Sequence, residues 1–141
     1  MSADHVTRIT VGATVQKPVE LVWKYFTVPE HLTQWSFASD TWHAPHAEHD
    51  LRAGGRFLTR MEAKDGSFGF DFTGTYDEIR TNEYIAYTLD DDRKVEITFT
   101  ARGNETEVVE IFDAEGTNPV EMQRAGWQAF MDNFKKYCEA N

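Results

Sequence analysis

Cysteine is almost absent from the chain. Cys138 stands alone, so no internal disulfide can form, and its place on an apolar helical stripe predicts a buried, unreactive thiol. Positive charge is also scarce. Lys and Arg number 14 against 24 Asp and Glu, a net charge of -10. That balance excludes nucleic acid, whose binding needs cations against phosphates, and disfavours an anionic membrane surface. No apolar run is long enough to span a bilayer, and the first residues lack the apolar core of a signal peptide. The expected location is therefore the cytoplasm, away from membranes. HExxH and GxSxG are missing, and no glycine-rich phosphate loop follows a strand and opens a helix. Zinc hydrolysis, serine hydrolysis and nucleotide binding have no support, and neither a metal nor a cofactor is expected.

Aromatic residues are abundant instead. They make up 13% of a chain of 141 residues, a length that predicts one domain spanning 1–141. Such rings bury much area each but pack irregularly, which is compatible with a cavity. They concentrate in the last stretch, Asn118 to Tyr137. Trp127, Phe130, Met131, Phe134, Tyr137 and Cys138 fall on one stripe at helical spacing, with Gln128, Asp132, Lys135 and Lys136 facing the other way. Asn118 reads as the N-cap, Pro119 as the first helical residue, and Glu121 as completing a capping-box-like spacing. Twenty residues give a helix of about 30 Å, long enough to cross a small domain. It cannot bury such a face alone, so the rest of the chain is expected to form a wall around it. A fully buried Trp127 would cost about 3–5 kcal/mol on truncation to alanine.

From the start, Ile9, Val11, Ala13 and Val15 alternate with polar residues as in a half-buried strand. Pro18 opens a helix with Val19, Val22, Trp23 and Phe26 inward. Val28-Pro29 interrupts it, and a second short helix carries Leu32 and Trp35 inward. Asp40 to Ala44 reads as a strand that Pro45 and Gly54-Gly55 cut off from longer pairing. After Arg56 strand follows strand. Phe57 and Met61 share a face, and Asp65-Gly66 marks a hairpin. Phe68, Phe70, Phe72 and Tyr76 share the next face, with Gly74 breaking the row. Ile85, Tyr87 and Leu89, then Val95, Ile97, Phe99 and Ala101, continue the alternation up to a strand over Glu105 to Asp113. Strands joined by short turns form an antiparallel meander. The predicted class is α+β, a curved antiparallel sheet of six to seven strands around the last helix.

Several stretches resemble one family. They are PVELVWKYFTVPEHLTQW, DLRAGGRF, DGSFGFDFTGTYDEI and GWQAFMDNFKKY, and together they cover nearly the whole chain. They are similar to the activators of the heat-shock protein 90 ATPase, within the helix-grip superfamily of START domains and birch-pollen allergens. The resemblance implies a sheet gripping the C-terminal helix with a cavity between them. Relatives on this fold bind apolar molecules, cyclise polyketides or assist a chaperone. The eukaryotic co-chaperone carries this domain behind a separate N-terminal domain, for which 141 residues leave no room. Little stimulation of a heat-shock protein 90 ATPase is therefore expected from this chain alone.

Four groups of residues are candidates for chemistry. His43, His46 and His49 invite a metal reading, but residues three apart in a strand point to opposite faces and Pro45 forbids a helix through them. They read as a solvated polar loop. Asp71 between Phe70 and Phe72 lies, by period two, on the face opposite both rings, which suggests a surface carboxylate paired across strands. For Glu110 alternation leaves both faces open. The family resemblance favours the register with Thr106, Val108, Glu110 and Phe112 inward, where Glu110 needs a protein or ligand partner. Gln123 and Arg124, one turn before Trp127, are the nearest candidates. The fourth group is aromatic. Trp35, Trp42, Phe70, Tyr87 and Trp127 are either core or pocket wall, and Phe57, Met61, Phe72, Phe99, Phe112, Phe130 and Met131 share their inward faces. These side chains, with Glu110 and Arg124, are the candidate lining of a ligand cavity. Three functions follow: a binding protein for a small apolar molecule, a module acting on a chaperone, and an enzyme using Glu110 as acid or base. The first is the leading expectation.

Overall fold

The computed structural model describes residues 7–141, so the amino-terminal reading concerning a signal peptide partly lies outside the described residues. The elements run β1 (Arg8–Val15), α1 (Val19–Thr27), α2 (Pro29–Leu32), β2 (Trp42–His49), β3 (Arg56–Ala63), β4 (Gly69–Arg80), β5 (Tyr84–Leu89), β6 (Lys94–Arg102), β7 (Glu105–Asp113) and α3 (Val120–Ala140). The seven strands form one antiparallel sheet in the order β1-β7-β6-β5-β4-β3-β2. It curls as a half-barrel around α3, so the fold is the α+β helix grip that the alternating strands and the aromatic helix predict. No helix among the described residues is long and apolar enough to cross a membrane.

The helix is held in two ways. Its stripe buries Met131, Phe134 and Cys138 against the sheet, and burial pushes the Cys138 thiol up to about 12. Its flank is pinned to the edge strand. β1 is the first strand of the sheet, so every second residue turns backbone groups away from the ladder. Gln128 takes both groups of Gly12, its Oε1 accepting from the N–H at 3.2 Å and its Nε2 donating to the C=O at 2.9 Å. Lys135 donates to the Thr14 carbonyl, and Glu139 accepts from Gln16 N–H at 2.8 Å. Gln128 and Lys135 thus do not face away from the sheet, as the helical wheel suggests. The wheel sees only polarity, and an edge strand needs polar partners.

The start of α3 also differs from its sequence signature. Pro119 is the N-cap, and neither Asn118 nor Glu121 caps through a side chain. Gln123, buried at 7% exposure, instead ties the first turn to the loop before it. It accepts from Glu115 N–H at 2.9 Å and donates to the carbonyls of Glu115 and Asn118 at 3.1 and 2.8 Å. Glu115 in turn accepts from the Thr117 and Asn118 N–H groups, which hold its carboxyl below the usual range.

The third difference is at β2. The strand does not stop before Pro45 but runs to His49, with a register shift between His43 and His46. It is the other edge of the sheet, where a proline lacking an N–H costs no ladder bond and a bulge absorbs the offset. The three histidines are therefore on a strand, not in a polar loop. Gly54, in the left-handed region at φ +85, then turns the chain into β3.

Candidate functional site

Between the concave face of the sheet and α3 lies a cavity of about 280 Å3. Its floor comes from the inward residues of the middle strands. Phe57, Thr59 and Met61 of β3 alternate with outward residues, as do Phe70, Phe72 and Tyr76 of β4 and Ile85 and Tyr87 of β5. Gly74 is what makes room there. A Cβ on it would sit 2.8 Å from the Phe57 ring and 2.6 Å from the Thr88 carbonyl. The roof is Trp127, Phe130, Met131 and Phe134 of α3, and one end is closed by Phe26 of α1, Leu32 of α2 and Trp35, which lies in the turn after α2 and not in the short helix itself. Phe70, 40% exposed, stands at the rim.

Ten of the candidate residues meet at this cavity: Trp35, Phe57, Met61, Phe70, Phe72, Tyr87, Glu110, Trp127, Phe130 and Met131. Four are placed elsewhere. Phe112 lies under Trp127, the two rings stacked at 3.8 Å and 10°, and so backs the wall rather than lining it. Phe99 packs edge-on against Trp23 and Phe26 in the core. Trp42 sits against Phe68 and Phe70 beside the β3–β4 hairpin. Arg124 pairs with Glu121 on its own helix, an i,i+3 contact that draws it away from Glu110. Asp71 is on the outer face, paired with its cross-strand partner Arg60 at 3.3 Å.

Glu110 faces inward, the register the resemblance favours. Val108 and Phe112 flank it along β7, and Val11 and Ile97 are its cross-strand neighbours. All four are buried and apolar, and Glu110 itself is only 7% exposed. Among the described residues it makes no hydrogen bond or ion pair, and its carboxyl opens into the cavity. Desolvation pushes its pKa up to about 8. The Tyr87 phenol faces the same charge, and burial with that repulsion raises its own pKa well above the ordinary value.

A second polar group is built on His49, which the sequence places in a solvated loop and the structure turns inward. His49 Nδ1 lies 2.5 Å from the Tyr76 hydroxyl, and Nε2 lies 3.2 Å from Thr59 Oγ1. Phe57 stacks on the imidazole at 5.4 Å. Burial lowers His49 to about 4, so the ring is neutral at physiological pH and bridges the two hydroxyls. Tyr76 was visible in the alternation of β4, whereas the β2 bulge hid the facing of His49. Arg93, from the turn before β6, reaches the lining but already holds Asp91 at 2.8 Å.

Trp127 is half-buried, less than a fully covered core residue. Trp127→Ala should therefore cost about 2–3 kcal/mol, below the range for complete burial. Denaturant unfolding reads this directly, and a loss under about 1 kcal/mol would contradict the stack on Phe112.

The fold is shared with solved structures. No curated protein matches the chain. The solution structure of the AHSA1-like protein from Aeromonas hydrophila is 40% identical, with a TM-score of 0.90 over 95% of this chain and 93% of that one. The solution structure of a protein from Cytophaga hutchinsonii is 53% identical, with a TM-score of 0.82 over 95% and 93%. A crystal structure from Nitrosomonas europaea, 18% identical with a TM-score of 0.80 over 94% of each chain, shares the fold alone. The family model described as "Activator of Hsp90 ATPase homolog 1-like protein" matches residues 16–139. The curled sheet, the gripped helix and these matches agree: the chain belongs to the AHSA1 family of helix-grip proteins.

Proposed function

We infer that this protein binds a small, largely apolar molecule between sheet and helix. The observation that carries this reading is the cavity itself, about 280 Å3 walled by rings and methionines with a few fixed polar groups. That volume lies just under the range of roughly 300–1,000 Å3 typical of ligand sites, and the ratio of apolar wall to polar contact suits such a site. Native mass spectrometry of the purified protein tests the reading. A one-to-one adduct that denaturation removes, or one formed on adding a neutral probe such as 4-phenylbutanol, is expected. A bare chain under both conditions would refute it.

A second reading rests on the family description, in which the domain acts on a chaperone. In a steady-state assay with an Hsp90 chaperone, this chain alone is expected to change ATP turnover very little. Clear stoichiometric stimulation would place the chaperone reading first. An acid–base enzyme is the third reading, and Glu110 is its candidate group. The polar groups in the wall are consistent with that chemistry, but His49 and Tyr76 are engaged with each other.

A further inference from the structure

Glu110 is the one feature of the cavity that the apolar reading does not use. A site built only for hydrocarbon would not retain a buried carboxyl without a partner, because its ionised form is poorly solvated there. Every element around it has been drawn on for other purposes. β1 and β6 give Val11 and Ile97, and α3 gives Trp127 and Met131, none of which can offset a charge. β4 and β5 offer the phenols Tyr76 and Tyr87, and β2 offers His49, which is neutral. Arg93, the remaining ionic group of the lining, is held by Asp91. No group of the lining is bonded to the carboxyl, so an occupant can supply its partner.

Resting on the reading that the cavity takes a ligand, we propose that this ligand is a compact organic cation: an amine or quaternary ammonium on an apolar skeleton, its charge paired with Glu110. Three observations converge on that chemistry. The first is the unpartnered carboxyl, 7% exposed and open to the cavity. The second is the company of aromatic faces around it, Trp127, Phe72, Tyr87 and Phe57, which attract a desolvated cation through their ring quadrupoles. The third is the net charge of -10, which raises the local concentration of cations and repels carboxylates. Glu110 holds its proton up to about pH 8, so a bound cation stabilises the ionised form and releases that proton. Affinity for a permanent cation therefore rises with pH through that value.

The test compares three probes on one skeleton: 4-phenylbutyltrimethylammonium, 4-phenylbutanol and 4-phenylbutyrate. Calorimetric titrations at pH 6 and pH 9 are made on the wild type and on Glu110→Gln. The ammonium is expected to bind at least tenfold more tightly than the alcohol at pH 9, with a smaller margin at pH 6 and the carboxylate weakest. Glu110→Gln should erase the margin of the ammonium over the alcohol. If the alcohol or the carboxylate equals the ammonium at both pH values, or if Glu110→Gln keeps the margin, the cation is overturned and the apolar cavity stands. If none of the three binds, both readings fall.

Discussion

Glu110→Gln should make the protein more stable at pH 8 to 9 and leave it nearly unchanged at pH 4. The reason is linkage. In the unfolded chain the carboxyl ionises near its ordinary value of 4.5, whereas burial holds the native one protonated up to about 8. Below pH 4.5 the group is neutral in both states and contributes nothing. Between those values the native state binds more protons than the unfolded state, so stability falls as pH rises. Above about 8 the loss is complete, on the order of several kcal/mol. Glutamine keeps the shape and removes the charge, so its stability should lack this decline. Urea unfolding of both proteins from pH 4 to pH 9 measures the difference directly. Parallel profiles would mean that Glu110 is solvated or paired in solution.

Phe134→Ala should be the most damaging single truncation on the helix. The side chain is fully buried and meets Phe26 edge-on at 5.1 Å and Trp35 at 4.7 Å. It joins α1 and the turn after α2 to α3 at the closed end of the cavity. Removing it deletes a large apolar surface beside a space that is already open, so the neighbours gain little by collapsing. A loss of about 3–5 kcal/mol is expected, seen as a lower denaturant midpoint with an unchanged slope. The half-buried Trp127 should cost less in the same assay. A reversal of that order would put the centre of the core nearer Phe112 than Phe134.

The two predictions draw on different kinds of legibility. Phe134 could be read from spacing, because residues at helical intervals must share a face whatever surrounds them. So could β1, whose alternation ends where Pro18 forces a new element. Glu110 was half legible. Period two defines which residues share its face, but Val108 and Val109 suit either side, and only family likeness chose between them. Arg124 could not be excluded as its partner, because one turn of helix separates a residue that reaches the cavity from one that pairs with Glu121.

The rest was hidden for identifiable reasons. A bulge at an edge strand leaves no mark beyond a proline, and Pro45 reads equally as a stop. His49 therefore looked solvent-facing, although it sits against Phe57 and Tyr76. The polar flank of α3 looked free because nothing in Gln128 or Lys135 says that an edge strand lies beside them. Phe112 and Phe99 face inward as alternation requires. Whether an inward ring lines a cavity or lies under another ring depends on the curl of the sheet, which no local pattern encodes.

If the space between sheet and helix is the binding site, an apolar ligand must perturb the residues that wall it. Titration of 15N-labelled protein with 4-phenylbutanol, followed by amide chemical shifts, reads this. Saturable one-to-one binding is expected, with the changes concentrated on β5, β7 and α3 around Tyr87, Glu110 and Trp127, and little change on the outer face at Thr98. Changes confined to the amides around the exposed Phe68 and Met122, 63% and 61% exposed and outside the cavity wall, would mean surface association only and contradict that placement.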